Sequence, residues 1–267
     1  MSTLTLESQS ESKRLYRTFF TPQKYEVKPS EQAILDKGTQ SRLSFHNGEL
    51  VLTTWGSDPP APTVLLMHGW GGSRAQLTGF VEPLLDAGFH VVAYDQPAHG
   101  DSECRTTNIL EIAESMNLMS QIFGRFDAVI AHSFGTLVTT YSIVVGNFIP
   151  PSKLVYFGAF NHLMDTLPRF QAATQLPETL IHPLRRMIDR KLGRDVLRTI
   201  NHDDLAKHLH IPALIFHDRS DTVTPVEDSR SISQVWKTAR YIETDGLGHH
   251  GALRSRKIHE QVAYFLK

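Results

Sequence analysis

The sequence predicts an α/β fold, a mostly parallel central sheet flanked by helices, on three observations. From about Glu49 onward, short β-branched runs alternate with helical stretches, the pattern of a parallel sheet with crossover helices. Several of these runs are continuously apolar, as in Val64-Leu65-Leu66-Met67 and Ala128-Val129-Ile130-Ala131, which suits strands covered on both faces. The 267 residues, 40% hydrophobic and 21% charged, are enough for one domain with a large core.

Taken in order, strands are expected at Leu50 to Thr54, Thr63 to Met67, His90 to Tyr94, Asp127 to Ala131, Leu154 to Ala159, Pro212 to His217 and Arg240 to Glu243. Helices are expected from Ala75 to Ala87 and from Ile109 to Phe123, stopped by Gly88 and Gly124 where a left-handed cap is wanted. Phe134 to Val145, Pro225 to Trp236 and the stretch from Arg254 also read as helices. Between Asn161 and His210 no strand is convincing. Leucines, methionines and basic residues recur there at helical spacing, divided by Pro168, Pro177 and Pro183. The expected organisation is a polar leader and extended lead-in over residues 1–45, a core over 46–160 and 211–267, and an inserted helical cap over 161–210.

The formal net charge of −1 argues against a nucleic-acid partner, which needs a concentrated basic face. No apolar run approaches the roughly 20 residues that span a bilayer. Met1 to Arg14 has neither the basic start nor the apolar stretch of a secretory signal. Cys104 is the single cysteine, so no intrachain disulfide forms, and a cytoplasmic location is expected. The histidines show no metal-ligand spacing, so no metal is expected, and no organic cofactor is expected either.

The sharpest local signal is Ala131-His132-Ser133-Phe134-Gly135, directly after an apolar strand and directly before a helical stretch. Small residues two before and two after the serine let a strained turn pack, holding Oγ clear of the sheet at the positive end of a helix. A serine hydroxyl is a weak nucleophile and needs a base within reach. Gly246-Leu247-Gly248-His249-His250, between the last strand and the last helix, offers two candidates in His249 and His250. Leu214 to Pro225, after the next-to-last strand, offers Asp218 and Asp221 as the acid that would orient the base.

In this order the blocks resemble the α/β-hydrolase superfamily. The elbow is similar to G-x-S-x-G with Ala131 for the first glycine. His217 to Pro225 resembles H-G-x-x-D-x-x-V-P, with Asp218 where glycine is common. The resemblance implies Ser133 as nucleophile, Asp221 as orienting acid and His249, directly after glycine, as general base. Val64 to Gly72 resembles the strand and H-G-x loop of that superfamily, which implies an oxyanion hole from the backbone N–H groups of Trp70 and Phe134 and a bracing role for His68. Val91 to Ser102 resembles D-x-x-G-x-G-x-S with Ala98 for a glycine, and Asp95 and Ser102 would pin that loop.

The resemblance covers Leu50 to the C-terminus and implies an α/β-hydrolase fold with an inserted helical cap. The activity it implies is that of a carboxylesterase-like serine hydrolase acting on a small-molecule acyl substrate. Acyl transfer by the same triad and a catalytically silent ligand-binding scaffold are the alternatives.

Overall fold

A computed structural model describes residues 13–56 and 61–267, so residues 1–12 of the expected leader lie outside the described residues. Eight strands form one sheet: β1 (Thr39–Phe45), β2 (Gly48–Trp55), β3 (Thr63–Met67), β4 (His90–Tyr94), β5 (Ala128–His132), β6 (Lys153–Phe157), β7 (Ala213–Asp218) and β8 (Ala239–Thr244). Their spatial order is β1-β2-β4-β3-β5-β6-β7-β8, with β1 and β2 antiparallel and β3 to β8 parallel. Helices α1 (residues 13–19) and α2 (Pro29–Leu35) precede the sheet. Crossovers carry α3 (Val81–Asp86), α4 (Ile109–Phe123) and α5 (Phe134–Val144). After β6 come α6 (Thr166–Thr174), α7 (Glu178–Leu192), α8 (Val196–Thr199) and α9 (His202–Ala206). Helix α10 (Val226–Val235) joins β7 to β8, and α11 (Gly248–Gly251) and α12 (Arg256–Leu266) close the chain.

The period of two along each strand divides the core. Leu65, Met67, Val92, Tyr94 and Val129 face α4, α5 and α10, while Val64, Leu66, Val91, Ala93 and Ile130 face α2, α3 and α12. Both sets are almost fully buried, and each such aliphatic side chain contributes about 2 kcal/mol relative to exposure. Helix α4 has the bounds expected of it. Asn108 caps it by accepting from the Leu110 and Glu111 N–H groups, Ile109, Ile112, Met116 and Met119 bury one stripe, and Gly124 ends it at φ +74°.

Two departures have physical causes. The core expected to begin at residue 46 begins at Thr39, because β1 pairs with β2 from Thr39–Thr54 to Phe45–Gly48. As an edge strand β1 is mostly exposed and carries no apolar alternation to read. The helix expected from Ala75 is a 3₁₀ turn at Thr78–Phe80 followed by α3. Before it the chain advances in i to i+3 turns, because Arg74 is drawn into a buried ion pair with Asp95 and Gln76 accepts from Gly69 N–H.

Residues 161–210 hold α6 to α9 and one isolated bridge, His162 to Asn201. The two ends of the segment are tied together: His202 N–H donates to Asn161 O at 2.8 Å and Asp203 N–H to Asn161 Oδ1 at 3.0 Å. Leu163, Leu167, Leu184, Ile188 and Leu197 bury themselves in the core shared with α4 and α5. Arg186, Arg190, Lys191, Arg194 and Arg198 are exposed.

Candidate active site

The strand order reverses at β3. The chain passes from β3 to β4 on one side and then to β5 on the other, opening a crevice at the carboxyl ends of β3 and β5, where open α/β sheets bind ligands. Ser133 lies there, between β5 and α5, at φ +51° and ψ −125°. A non-glycine residue with that backbone is strained by about 1–3 kcal/mol and persists only where packing over-determines it. The packing is visible: a Cβ at Gly135 would collide with the His68 carbonyl oxygen, and one at Gly69 would lie 3.0 Å from Ser133 Cβ. The glycines at 69 and 135 therefore let the β3 loop close directly on the elbow.

His249 and Asp221 meet at the same end of the sheet. His249 Nδ1–H donates to Asp221 Oδ2 at 2.7 Å, and because a carboxylate only accepts, this fixes the proton on Nδ1 and leaves Nε2 as the basic nitrogen. The carboxylate is well supplied. Val223 N–H and Thr224 N–H donate to Oδ1 at 2.8 and 2.9 Å, and Thr224 Oγ1 donates to Oδ2 at 2.9 Å. His217 Nε2 lies 3.3 Å from Oδ2. Burial opposes ionisation of Asp221, but the His217 and His249 donors outweigh it and hold the carboxyl well below the usual range. His250 makes no hydrogen bond to Asp221 among the described residues; its own pKa is pushed down to about 4 by the partial desolvation of its ring and by the nearby charges of His249 and Arg254. Ser133 Oγ makes no hydrogen bond to His249 among the described residues, a contact that in serine enzymes tightens when substrate is bound.

On the β3 side, His68 is fully buried. Its Nε2 accepts from Gln96 N–H at 3.1 Å and its Nδ1–H donates to Gly69 O at 2.8 Å. Burial, with His99 and Arg74 nearby, keeps its pKa well below the ordinary value, so it braces the loop as a neutral ring. The N–H groups of Trp70 and Phe134 have no hydrogen-bond partner among the described residues, and the two rings meet edge to face at 5.7 Å. Asp95 accepts from Arg74 N–H and from Asp101 N–H at 2.9 Å, and Ser102 Oγ donates to Asp95 O at 2.7 Å, tying down the loop after β4. Ala98, where the resembling motif has glycine, sits at φ +63°.

A family model described as alpha/beta hydrolase fold matches residues 62–143, the span from β3 through the elbow. The esterase Pf2001 of Pyrococcus furiosus superposes at a TM-score of 0.67 with 21% identity over 92% of this chain and 97% of that one. The chain has the α/β-hydrolase fold. A bromoperoxidase from Bacillus anthracis also superposes at 0.67, with 15% identity over 86% of this chain and 99% of the other. Among curated proteins, a lysophosphatidylserine lipase, ABHD12, of Danio rerio is 25% identical over 183 residues, 62% of this chain. The chain spans about 45% of the length of that relative.

Sequence reasoning missed Gly158. Gly158 was read as part of a strand, yet β6 ends at Phe157 and Gly158 turns at φ +54°, where a Cβ would lie 3.3 Å from His249 Nδ1 and 3.4 Å from Asp221 Oδ2. Asp218, weighed as a rival acid, does not contact the His249 ring. Its carboxylate accepts from Ser220 N–H at 3.0 Å, Ser220 Oγ at 2.6 Å and Gly248 N–H at 3.0 Å on one oxygen, and from Thr244 Oγ1 at 2.7 Å and Leu247 N–H at 3.0 Å on the other. Burial opposes its ionisation, but the Ser220 and Thr244 donors and the two loop N–H groups hold its pKa well below the usual range. Its mark in the sequence is the carboxylate standing in the glycine position of the motif.

Among the described residues, the His132, His249 and His250 rings bring possible metal-ligating nitrogens within 4.8 Å of one another. His249 Nδ1 is committed to Asp221, and His132 Nε2 lies 3.0 Å from the His249 main-chain oxygen. No helix among the described residues is long and apolar enough to cross a membrane.

Proposed function

We propose that the chain is a serine hydrolase that cleaves a carboxylic ester or related acyl compound through an acyl-enzyme on Ser133. The observation that carries this reading is the 2.7 Å His249–Asp221 hydrogen bond, which fixes the imidazole tautomer beside a serine held at positive φ. Ser133 Oγ attacks the acyl carbonyl while His249 Nε2 takes the hydroxyl proton and Asp221 stabilises the imidazolium. The N–H groups of Trp70 and Phe134 receive the developing oxyanion. His249 then returns the proton to the departing alcohol, and water repeats the sequence on the acyl-enzyme, releasing the acid and freeing Ser133. The fold shared with an esterase supports the choice of an ester. The segment 161–210 is proposed as a lid: Arg169 of α6 lies over the Phe160 ring at 4.8 Å, and Phe160 in turn touches Phe134 beside the nucleophile.

A panel of p-nitrophenyl esters of graded acyl length tests the reading. Hydrolysis of at least one, abolished in Ser133→Ala, is expected; turnover that survives the substitution would falsify it. On the best ester, His249→Ala is expected to lower kcat by about 10⁴-fold or more, whereas His250→Ala retains most activity. The reason is geometric, since only the His249 ring meets Asp221. Comparable losses in both variants would reassign the base.

A further inference from the structure

Thr224 stands three residues after Asp221 and has no part in the proton transfers proposed above, yet it is fully buried beside them. Its N–H donates to Asp221 Oδ1 and its hydroxyl to Oδ2, both at 2.9 Å, so one residue grips both carboxylate oxygens. The other main-chain donor, Val223 N–H, also goes to Oδ1 and holds only that end of the group. Oδ2 is the oxygen that receives His249 Nδ1–H, and the Thr224 hydroxyl holds that end, 3.3 Å from the same nitrogen. Thr224 is itself held. A carbonyl only accepts, so His217 donates from Nε2 to Thr224 O at 3.0 Å, and its Nδ1 lone pair accepts from the Ser229 hydroxyl of α10 at 2.7 Å. Donors and acceptors thus match at every link from α10 through β7 to the turn that carries Asp221. Pro225 follows and confines Thr224 to extended backbone, which suits a β-branched side chain.

We propose that Thr224 is a positioning residue whose hydroxyl orients Asp221 Oδ2 toward His249 and takes up part of the carboxylate charge. This rests on the serine-hydrolase reading. A base displaced by about 1 Å costs on the order of 100-fold in rate, so fixing the acid that fixes the base matters although Thr224 touches no reacting atom. The charge matters as well. A carboxylate with one donor fewer attracts the imidazolium more strongly, so without the hydroxyl His249 would stay protonated to higher pH. The other ionisable groups around the pair are His217, the His132 and His250 rings at 4.6 and 4.8 Å from that of His249, and Asp218 beneath the Gly248 N–H, with Arg254 and Lys28 beyond His250. None of them changes in the variants below.

The test uses the ester that the wild-type full chain hydrolyses best, or the rate of fluorophosphonate labelling where no ester is turned over. Thr224→Val keeps the shape and the N–H bond and removes only the hydroxyl donor. It is expected to lower kcat by about 10-fold with KM changed little, and to move the acid limb of kcat/KM up by about half a pH unit. Thr224→Ser, which retains a hydroxyl, should keep the wild-type acid limb and recover most of kcat. Should Thr224→Val fail to fold, Thr224→Ala removes the same donor and is read against Thr224→Ser in the same way. Wild-type kcat and pH profile in Thr224→Val, a loss confined to KM, a fall in kcat with an unmoved acid limb, or a Thr224→Ser variant as impaired as Thr224→Val would each overturn the proposal. A wild-type chain that neither turns over an ester nor takes up the probe would instead defeat the serine-hydrolase reading, which separates the two failures.

Discussion

Treated with a fluorophosphonate, the wild-type protein is expected to take up one probe per chain at Ser133, and Ser133→Ala none. The probe needs no knowledge of the substrate. It reacts where a neighbouring base raises the nucleophilicity of a serine and donors stabilise the phosphoryl oxygen, the features that acyl transfer also requires. Asp221→Asn should label far more slowly. With the carboxylate gone, the amide at 221 can present its NH₂ to His249 Nδ1 and favour the tautomer that places the proton on Nε2, where the base must be empty. In a serine-protease triad the equivalent change costs about 10⁴ in kcat. Intact-mass and peptide-level spectrometry read the result. A folded wild-type chain that stays unlabelled would point to a silent scaffold, and a label on a different serine would overturn the elbow assignment.

Replacing Asp218 is expected to cost more stability than any other single change near the site and to lower activity without touching Ser133, His249 or Asp221. Five donors converge on its two oxygens, two of them the Leu247 and Gly248 N–H groups that set the course of the His249 loop. Asp218→Ala leaves those donors without their acceptor, at a cost of about 3 kcal/mol or more. Asp218→Asn does little better, because one of its two positions becomes a donor facing donors. The loosened base should lower kcat by about 100-fold.

The same carboxylate gives a pH signature. Its pKa in the folded chain is depressed, as is that of Asp221, so the stability they supply is fully present above the unfolded carboxylate value of about 4 and is lost as pH falls below it. Urea midpoints measured between about pH 6 and 2 should therefore fall on the acid side, and less steeply in Asp218→Asn. An equal slope in both proteins would mean that Asp218 is not held as a carboxylate by its five donors.

Much of this was legible in the chain because it is written locally. Strands buried on both faces must be apolar throughout, and the runs at Val64 to Met67 and Ala128 to Ala131 were read for that reason. Helix α4 was read to the residue, with Gly124 marking its end. The elbow was legible because a strained turn tolerates only small neighbours, and the structure sets Gly135 where a side chain would strike His68. Strand β1 was not legible as part of the sheet, since an exposed edge strand owes its conformation to its partner rather than to its own pattern.

The sequence by itself determined the alternation that makes a doubly covered parallel sheet, the position of the strained serine at a strand-to-helix junction, and the short set of acids and histidines from which a base and its partner could be drawn. Only the tertiary structure decided among them. It brought the His249 ring, and not that of His250, onto Asp221; it turned Asp218 from rival acid into the anchor of the loop that carries His249; and it set His132 against the His249 main chain. Those choices depend on which backbone groups face one another across loops 28 to 117 residues apart, a matter of how the strand ends are stacked and not of any spacing along the chain.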